Sequence, residues 1–335
     1  MTPDFESPDP QEDDDTDRII ERMRGMMTAQ YDEAGRQIMR RDVHQKAHGL
    51  MRAEFTVEGN LPEALRVGLF ARPATYPAWV RLSNAANGLT PDARPDVRGM
   101  AIKLMGVPGR KVLDSEPDAP THDFIVISTP RFPVSNVGQF YGLAGAVIGG
   151  LLHKLVYFLT HPRTLWGLIV TFSTCTNPLQ IRYYSATPYL FGRRVVKYGV
   201  TPRFMQRTPK PADAGPDFLR QAAREQLLQG PAWFDFGVQF RRNDWSVEDG
   251  RCTWPEAQSP FQKVATLRIL GEDFDTPERH ALGEQLSFTP WHCLPEHRPL
   301  GNLNRARRRV YETLHAHRHK TNGVVRREPD GWESA

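Results

Sequence analysis

Several residues that could do chemistry lie on one predicted helix near the end of the 335-residue sequence, over 302–319. On a wheel advancing about 100° per residue, one arc collects four residues able to bind a metal or a carboxylate or to move a proton: Arg307, Tyr311, His315 and Arg318. The neighbouring arc is apolar and predicts the packing face: Leu303, Ala306, Val310 and Leu314. On periodicity alone, a basic solvated face with Tyr311 at its edge is the favoured interpretation.

A second group of such residues lies early in the sequence. Arg41, His44 and His48 occur within eight residues, and histidine titrates near neutral pH, which suits proton transfer. His44 and His48 have the same parity, so both could face one side of an extended segment. Further along, Arg81 and Ser83 alternate with apolar residues and would share one face of a strand.

These two groups resemble the haem-binding motifs of the catalase superfamily. The run Arg307-Arg-Arg-Val-Tyr311-Glu-Thr-Leu-His315-Ala-His-Arg318 is similar to the proximal signature, and the segment from Arg41 to His44 is similar to the distal one, in which arginine precedes the essential histidine by three. The segments 80–83 and 96–103 resemble two further catalase blocks. The resemblance spans roughly 38–320, and other blocks look like the small bacterial catalase-related group.

The resemblance implies haem b, with iron bound by Tyr311 and His44 as the distal acid–base residue, favoured over His48 by its spacing from Arg41. Arg307 would hold the phenol, whose ordinary pKa is near 10, as the phenolate that binds ferric iron. Ser83 would orient His44. By the same resemblance, Arg41, Arg81 and Arg318 would pair with the haem propionates, and Val43, Phe132 and His315 are the other expected cofactor-binding residues. Arginine suits the propionates because it binds carboxylates bidentately.

One element departs from the catalase pattern. Catalases place an asparagine on the distal side, whereas Ser128, or Ile127, stands at that point in this sequence. We therefore expect weak dismutation of hydrogen peroxide and favour a peroxidase acting on hydrogen peroxide or organic hydroperoxides, with an unknown electron donor. A lipid-hydroperoxide isomerase of the allene oxide synthase type is an alternative function. It is less favoured because this sequence has Val43 where those enzymes carry threonine. A non-catalytic haem-binding or lipid-surface protein is another.

Short segments of strand character must position these residues. Period-two alternation over 51–57 indicates a half-buried strand, and further strands are predicted over 65–70, 78–84, 100–106, 123–128, 180–185, 195–198, 233–240 and 264–270. A helix is predicted over 218–229. So many strands with short connections suggest an antiparallel sheet closed into a barrel. The predicted fold is α+β: a catalase-like closed antiparallel β-barrel with surrounding helices, lacking the C-terminal helical domain of full-length catalases.

The ends of the sequence differ in composition from its middle. Residues 1–37 are predicted to form a disordered acidic tail and a helical arm over 16–39, residues 38–320 the haem-binding barrel, and residues 321–335 a polar tail. The acidic start does not resemble a secretory signal, and three widely spaced cysteines match no metal site. We therefore expect a cytoplasmic protein. His315, His317 and His319 do not share one helical face, which argues against a separate metal site.

The composition of the sequence argues against some classes of binding partner. Charged residues make up 24% and the net charge is +4, without the basic stripe typical of a nucleic-acid binder, so no nucleic acid is expected. The most apolar stretch, 140–170, is interrupted by glycines, histidines and charges, which argues against a membrane span. Helices in the core or covering the active site are favoured there, with weak membrane-surface contact as the alternative. A homo-oligomer is also expected.

Overall fold

The computed structural model describes residues 5–148, 150–204, 208–242 and 244–333. Its helices are α1 (Glu12–Glu33), α2 (Val137–Ile148), α3 (Gly150–Thr160), α4 (Pro162–Thr171), α5 (Phe218–Gln229), α6 (Pro277–Gln285) and α7 (Asn302–Asn322). Its strands are β1 (Ala47–Val57), β2 (Thr75–Asn84), β3 (Arg98–Leu104), β4 (His122–Ile127), β5 (Tyr183–Tyr184), β6 (Tyr189–Phe191), β7 (Arg194–Pro202), β8 (Ala232–Phe240) and β9 (Gln262–Ile269).

Eight of these strands close into an antiparallel barrel, which confirms the predicted fold class. The strand order is β5-β4-β3-β2-β1-β9-β8-β7, and β7 pairs back onto β5 through Tyr183 and Val200. The barrel interior is filled by aromatic rings: Phe124 lies 5.8 Å from Phe55 and 4.7 Å from Phe236, centroid to centroid. A filled interior leaves only the outer face of the wall to build a site.

The wall that carries the predicted site residues runs through β2, β3 and β4. Arg81 pairs with Ala101 and Ala101 with Ile125, and one step along the strands Ser83, Gly99 and Ile127 form a second row. Their neighbours in sequence, such as Val80, Leu82 and Val126, belong to the barrel core. Strand alternation therefore places both rows on the outside of the barrel.

Helix α7 and the N-terminal helix pack together beside this wall. Ile19, Met23 and Met27 of α1 form one apolar cluster with Val310 and Leu314 of α7. Helix α7 begins at Asn302, as predicted, and no side chain caps its N-terminus at Gly301. The N–H groups of Gly301 and Asn302 donate instead to the carboxylates of Glu6 and Glu248, which suit the positive end of the helix dipole.

Some elements differ from the sequence predictions. The strand predicted over 65–70 is wrong: Glu63–Leu65 and Gly68–Phe70 are short 3-10 turns whose apolar side chains cover one end of the barrel core. Helix α6 was not predicted. Helix α1 begins at Glu12 and ends at Glu33, four and six residues earlier than expected.

The apolar stretch 140–170 forms α2, α3 and α4, but these are not core helices throughout. Helix α3 has no buried residue, and α4 buries only Thr164, Gly167 and Thr171. Of the two favoured alternatives, core helices or helices covering the active site, the first is wrong for α3 and α4, because hydropathy alone does not say which face of a helix meets the protein. Among the described helices, none is sufficiently long and apolar to cross a membrane.

Candidate active site

A cavity lies between the outer face of the barrel wall and α7. Strands β2, β3 and β4 contribute one side, and Tyr311, Leu314 and His315 of α7 contribute the other. The segment before β1 lines it with Arg41, Asp42, Val43 and His44. A water-sized sphere can reach about 80 Å³ of this cavity, which is open on one side.

His44 is held in this cavity by contacts at its ring and at its backbone. Ring atom Nδ1 lies 3.0 Å from Ser83 Oγ, and the His44 carbonyl accepts a hydrogen bond of 2.9 Å from Arg81. The His44 N–H donates to the carbonyl of Ala85. These contacts secure a left-handed backbone, with φ of 57°, that histidine adopts only rarely. A residue kept in such a conformation is a marker of functional sites.

The surroundings of His44 favour the neutral imidazole. Burial, followed by the positive charges of Arg81, Arg307 and Arg41, lowers the pKa of His44 to about 3. Ser83 occupies Nδ1, and Nε2 forms no hydrogen bond to any residue in the described ranges. At neutral pH His44 is therefore an uncharged base with one ring nitrogen available to a ligand.

Tyr311 is paired with Arg307 one turn earlier on α7. The guanidinium donates two hydrogen bonds to the phenolic oxygen, at 3.3 Å from Nε and 3.1 Å from Nη2. Asn304 accepts a third bond from Arg307 and fixes the guanidinium plane. Two donors and a fixed positive charge thus converge on the oxygen of a tyrosine that lines the cavity.

Three arginines meet at one edge of the cavity around a single carboxylate, Glu284 of α6. Arg41 forms an ion pair with it at 3.1 Å, Arg81 lies 3.7 Å from it, and Arg318 donates to its backbone carbonyl. Although burial works against the charged carboxyl, the guanidiniums lower the pKa of Glu284. The other nearby carboxyl, Asp42, has its pKa raised by burial. Positive charge therefore exceeds negative charge at this edge.

This donor set fits haem. The buried Nε atoms of Arg81 and Arg318 have no hydrogen-bond partner, so two guanidiniums retain unused donors. With Arg41 they face one ion-paired carboxylate, which leaves charge to balance two propionates. Across the cavity, Tyr311 offers an oxygen ligand for iron, and apolar side chains such as Met100 and Phe288 line the space between.

The structure brings most of the predicted site residues together, but not all. His44, Ser83, Arg41, Val43, Arg81, Tyr311 and His315 line the cavity, Arg307 contacts Tyr311, and Arg318 reaches the arginine cluster. Ser128 and Phe132 do not line it. Ser128 lies in a neighbouring cavity, where its hydroxyl accepts from the N–H of Arg98, while Ile127 occupies the wall beside Gly99.

His44 and His48 do not face the same side, contrary to the parity argument. His48 is fully buried in a separate network, where Nε2 lies 2.8 Å from Asn84 and Nδ1 lies 3.9 Å from Asp92. The left-handed backbone at His44 and a register shift between Ala47 and Gly49 break the simple alternation. Parity counts hold only in a regular strand.

Two residues of the site were missed by sequence reasoning. Glu284 lies on the unpredicted helix α6, and no local pattern connects it to Arg41 and Arg81, which are more than 200 residues away. Gly99 belongs to a motif that the resemblance covered, but its role is visible only here. A Cβ at Gly99 would lie 2.6 Å from Cε1 of His44, so the His44 ring needs a glycine beneath it.

A second titratable cluster lies outside the cavity. Glu116, His292 and Glu328 could place their ligand atoms within 4.8 Å of one another. However, Lys103 bonds to Glu328 and to Asp123, and Arg326 bonds to Glu116 at 2.7 Å. The surrounding carboxylates of Asp123, Glu116 and Glu328 overcome burial and raise the pKa of His292 to about 10. Protein cations thus neutralise these carboxylates, and the group is an internal ion-pair cluster.

Comparison with known proteins gives a structural likeness without a sequence match. No protein-family model matches the chain, and neither does any curated protein. Among solved structures, it is similar to a fungal catalase (TM-score 0.69), a bacterial catalase (0.66) and catalase A from Saccharomyces cerevisiae (0.68), each at 18% identity. The alignments cover 86%, 86% and 88% of this chain but only 62%, 59% and 66% of those proteins. The barrel, its surrounding helices and this likeness together assign the chain to the catalase-like fold.

Proposed function

We propose that this protein is a haem-dependent oxidoreductase that reduces hydrogen peroxide or organic hydroperoxides. The observation that carries the proposal is that His44, Ser83 and Tyr311 line one cavity in a catalase-like fold, with Arg307 donating to the Tyr311 oxygen. Arg41, Arg81 and Arg318 would hold the propionates of haem b, and Tyr311 would bind its iron. When bound, haem supplies the redox chemistry at the peroxide oxygen.

The chain's own contribution is proton transfer, orientation and a suitable pocket. Neutral His44 can accept the hydroperoxide proton at Nε2 and return it to the departing oxygen, which is general acid–base work. Ser83 holds the ring by Nδ1, and Arg81 holds the backbone, so Nε2 keeps one direction. Arg307 provides charge balance beside the oxygen of Tyr311.

The wall of the cavity favours organic hydroperoxides over hydrogen peroxide. Where an amide donor is expected in catalases, the wall row presents Ile127, and Ser128 lies outside the cavity. Val43 and Ile125 add further apolar surface. Without that donor, the pocket makes fewer hydrogen bonds to the second hydrogen peroxide that dismutation requires. Its apolar wall suits the alkyl group of an organic hydroperoxide. We therefore expect peroxidase activity to exceed dismutation.

The test begins with cofactor binding. The protein is purified from cells supplied with a haem precursor, and its absorption spectrum is recorded beside those of Tyr311→Phe and Tyr76→Phe. Tyr76 lies on β2 outside the cavity, so its variant controls for the loss of a hydroxyl. We expect a high-spin ferric spectrum that changes only in Tyr311→Phe. A colourless protein that does not take up added haem contradicts the proposal.

Activity is then measured with three substrates. We expect reduction of cumene hydroperoxide by an added electron donor, at a rate above oxygen release from hydrogen peroxide. His44→Gln should lower the reduction rate by about 100-fold or more, the usual contribution of a general acid–base residue. Conversion of a fatty-acid hydroperoxide without any donor supports the isomerase alternative. Haem binding without turnover of any of the three supports a haem carrier.

A further inference from the structure

Helices α3 and α4, which we call the apolar hairpin, present large apolar side chains to solvent. On α3 the exposed residues are Leu151, Leu152, Leu155, Val156 and Leu159, and on α4 they are Leu165, Trp166, Ile169 and Val170. Leu152 is 75% exposed, Leu159 81% and Trp166 64%. Both sets follow the same helical spacing of i, i+1, i+4 and i+5, so each helix carries one continuous apolar face.

Helix α4 is fixed with this face outward. Its buried residues are small, namely Thr164, Gly167 and Thr171, and on a helical wheel they lie about 160° from the centre of the exposed apolar face. A Cβ at Gly167 would lie 2.7 Å from the carbonyl oxygen of Pro133, so the helix packs tightly against that loop. Just beyond α4, Ser173 pairs with Asp96. Close packing thus sets the orientation of α4. An ordinary amphipathic helix buries its large apolar residues, whereas α4 buries small residues and exposes the large apolar ones.

The charged residues of the apolar hairpin itself, and of the sequence on both sides of it, are of one sign. No Asp or Glu occurs in the sequence between Asp123 and Asp213, whereas Lys154 lies on α3 and Arg163 on α4. Neither cation is paired with a carboxylate in the part of the chain that the structure describes. An apolar face bordered by unpaired cations matches an anionic lipid surface, where acyl chains receive the apolar residues and headgroups receive the charges.

A second copy of the chain fits this face less well. A twofold contact would set the same patch against itself, bringing Lys154 and Arg163 of one copy towards those of the other. Nearby carboxylates to relieve that repulsion are absent from this stretch of sequence. We propose that the apolar hairpin docks the protein on the surface of an anionic lipid bilayer, with α3 and α4 lying in the interface rather than crossing it.

Vesicle flotation tests the proposal with the full-length protein, and haem loading is not required. The vesicles are phosphatidylcholine alone and phosphatidylcholine containing phosphatidylglycerol. Wild-type protein should float with the phosphatidylglycerol vesicles. The double variant Leu159→Gln/Ile169→Gln should lower its affinity about tenfold or more, because two exposed apolar side chains no longer enter the lipid. Lys154→Gln/Arg163→Gln should lower affinity about fivefold for each charge removed.

Matched controls distinguish lipid binding by the apolar hairpin from nonspecific binding by other exposed apolar residues. Leu228 and Val325 are exposed apolar residues on other parts of the surface, so Leu228→Gln/Val325→Gln should float like the wild type. Trp166 is the most exposed tryptophan described, so lipid binding should shift its emission to the blue. Trp166→Phe should abolish the shift while the protein still floats. Lys154 is half-buried and the other substituted side chains are exposed, so thermal unfolding should change little.

Three outcomes overturn the proposal. The first is wild-type protein that floats with neither vesicle. The second is a loss of binding that is as large in Leu228→Gln/Val325→Gln as in the hairpin variants. The third is a dimer that forms without lipid and dissociates in Leu159→Gln/Ile169→Gln, because the hairpin then meets a second copy. These readouts do not involve peroxide turnover, so they stand apart from the outcome of the activity tests.

Discussion

The ring of His44 rests on the backbone of Gly99, because the two residues sit on facing parts of the cavity wall with no room for a side chain between them. A Cβ built on Gly99 would approach Cε1 of His44 to 2.6 Å, Nδ1 to 2.7 Å and the hydroxyl of Ser83 to 3.1 Å. All three atoms belong to His44, the proposed proton-transfer residue, and to Ser83, which holds its ring. The smallest possible addition to Gly99 therefore acts directly on the position of the His44 ring.

Gly99→Ala should impair activity much more than stability. The ring of His44 can swing away to make room, so the free energy of unfolding should change little, but Nε2 then points in another direction. Peroxide turnover should fall about 100-fold, as expected for misplacement of an acid–base residue by about 1 Å. The comparison is Gly59→Ala, whose added Cβ meets no atom within 4 Å. Equal activity in the two alanine variants contradicts this account of His44.

The acid limit of peroxidase activity should lie far below the ordinary pKa of histidine. Burial and the charges of Arg81, Arg307 and Arg41 lower the pKa of His44 to about 3. The neutral base is present above that value, so kcat/KM should stay flat as pH falls through about 6.5, the usual pKa of histidine. Activity should decline only towards pH 3 or where the fold is lost, which circular dichroism monitors. If kcat/KM instead declines near pH 6.5, the prediction is wrong and the His44 ring is solvated in the working enzyme.

Glu284→Gln should destabilise the protein without haem and increase its stabilisation by haem. The change removes the carboxylate that pairs with Arg41 and lies near Arg81, at a cost of about 3–5 kcal/mol for a buried pair. The cluster then carries more uncompensated positive charge, which the two propionates can balance. Thermal unfolding with and without haem measures both effects. Glu278 is exposed on the same helix, so Glu278→Gln should show neither effect. If haem raises the unfolding temperature of Glu284→Gln no more than that of the wild type, the propionates do not lie at this edge.

Stability should fall as the pH is raised through the alkaline range because of His292. Its pKa is raised to about 10, so the folded state binds a proton that the unfolded chain releases near pH 6.5. The contribution is complete below that unfolded value and is lost as pH rises to about 10. Urea unfolding of the wild type should lose about 2–4 kcal/mol across this window, beyond any loss shared with His292→Gln. Parallel pH profiles for the two proteins show that the His292 ring is not charged in the fold.

The sequence alone predicts the elements whose pattern is local. The bounds of α5, 218–229, agree with the structure, and the wheel of α7 correctly separates its apolar stripe from the arc that carries Arg307 and Tyr311. The alternation in β2 correctly places Arg81 and Ser83 on one face. Each of these features depends on neighbours within about two turns or a few strand residues, and such spacing is written directly in the residue order.

Other features of the site depend on contacts that no local pattern contains. The sequence could not connect Glu284 to the arginines, because α6 and Arg41 are far apart along the chain and meet only when the barrel closes. Parity failed for His48, since a left-handed residue and a register shift reverse a face without leaving a periodic signal. The residue order around 128 allowed either Ile127 or Ser128 into the cavity, and strand pairing selected Ile127.

The same division applies to the apolar hairpin. Its sequence indicated that 140–170 is helical and apolar, and it favoured helices of the core or helices covering the active site. The tertiary structure decided that α4 faces outward, because Gly167 packs closely against Pro133 and leaves Trp166 in solvent, and that α3 buries none of its residues. Composition and spacing therefore determine which side chains an element carries, whereas close packing between distant segments decides what those side chains meet.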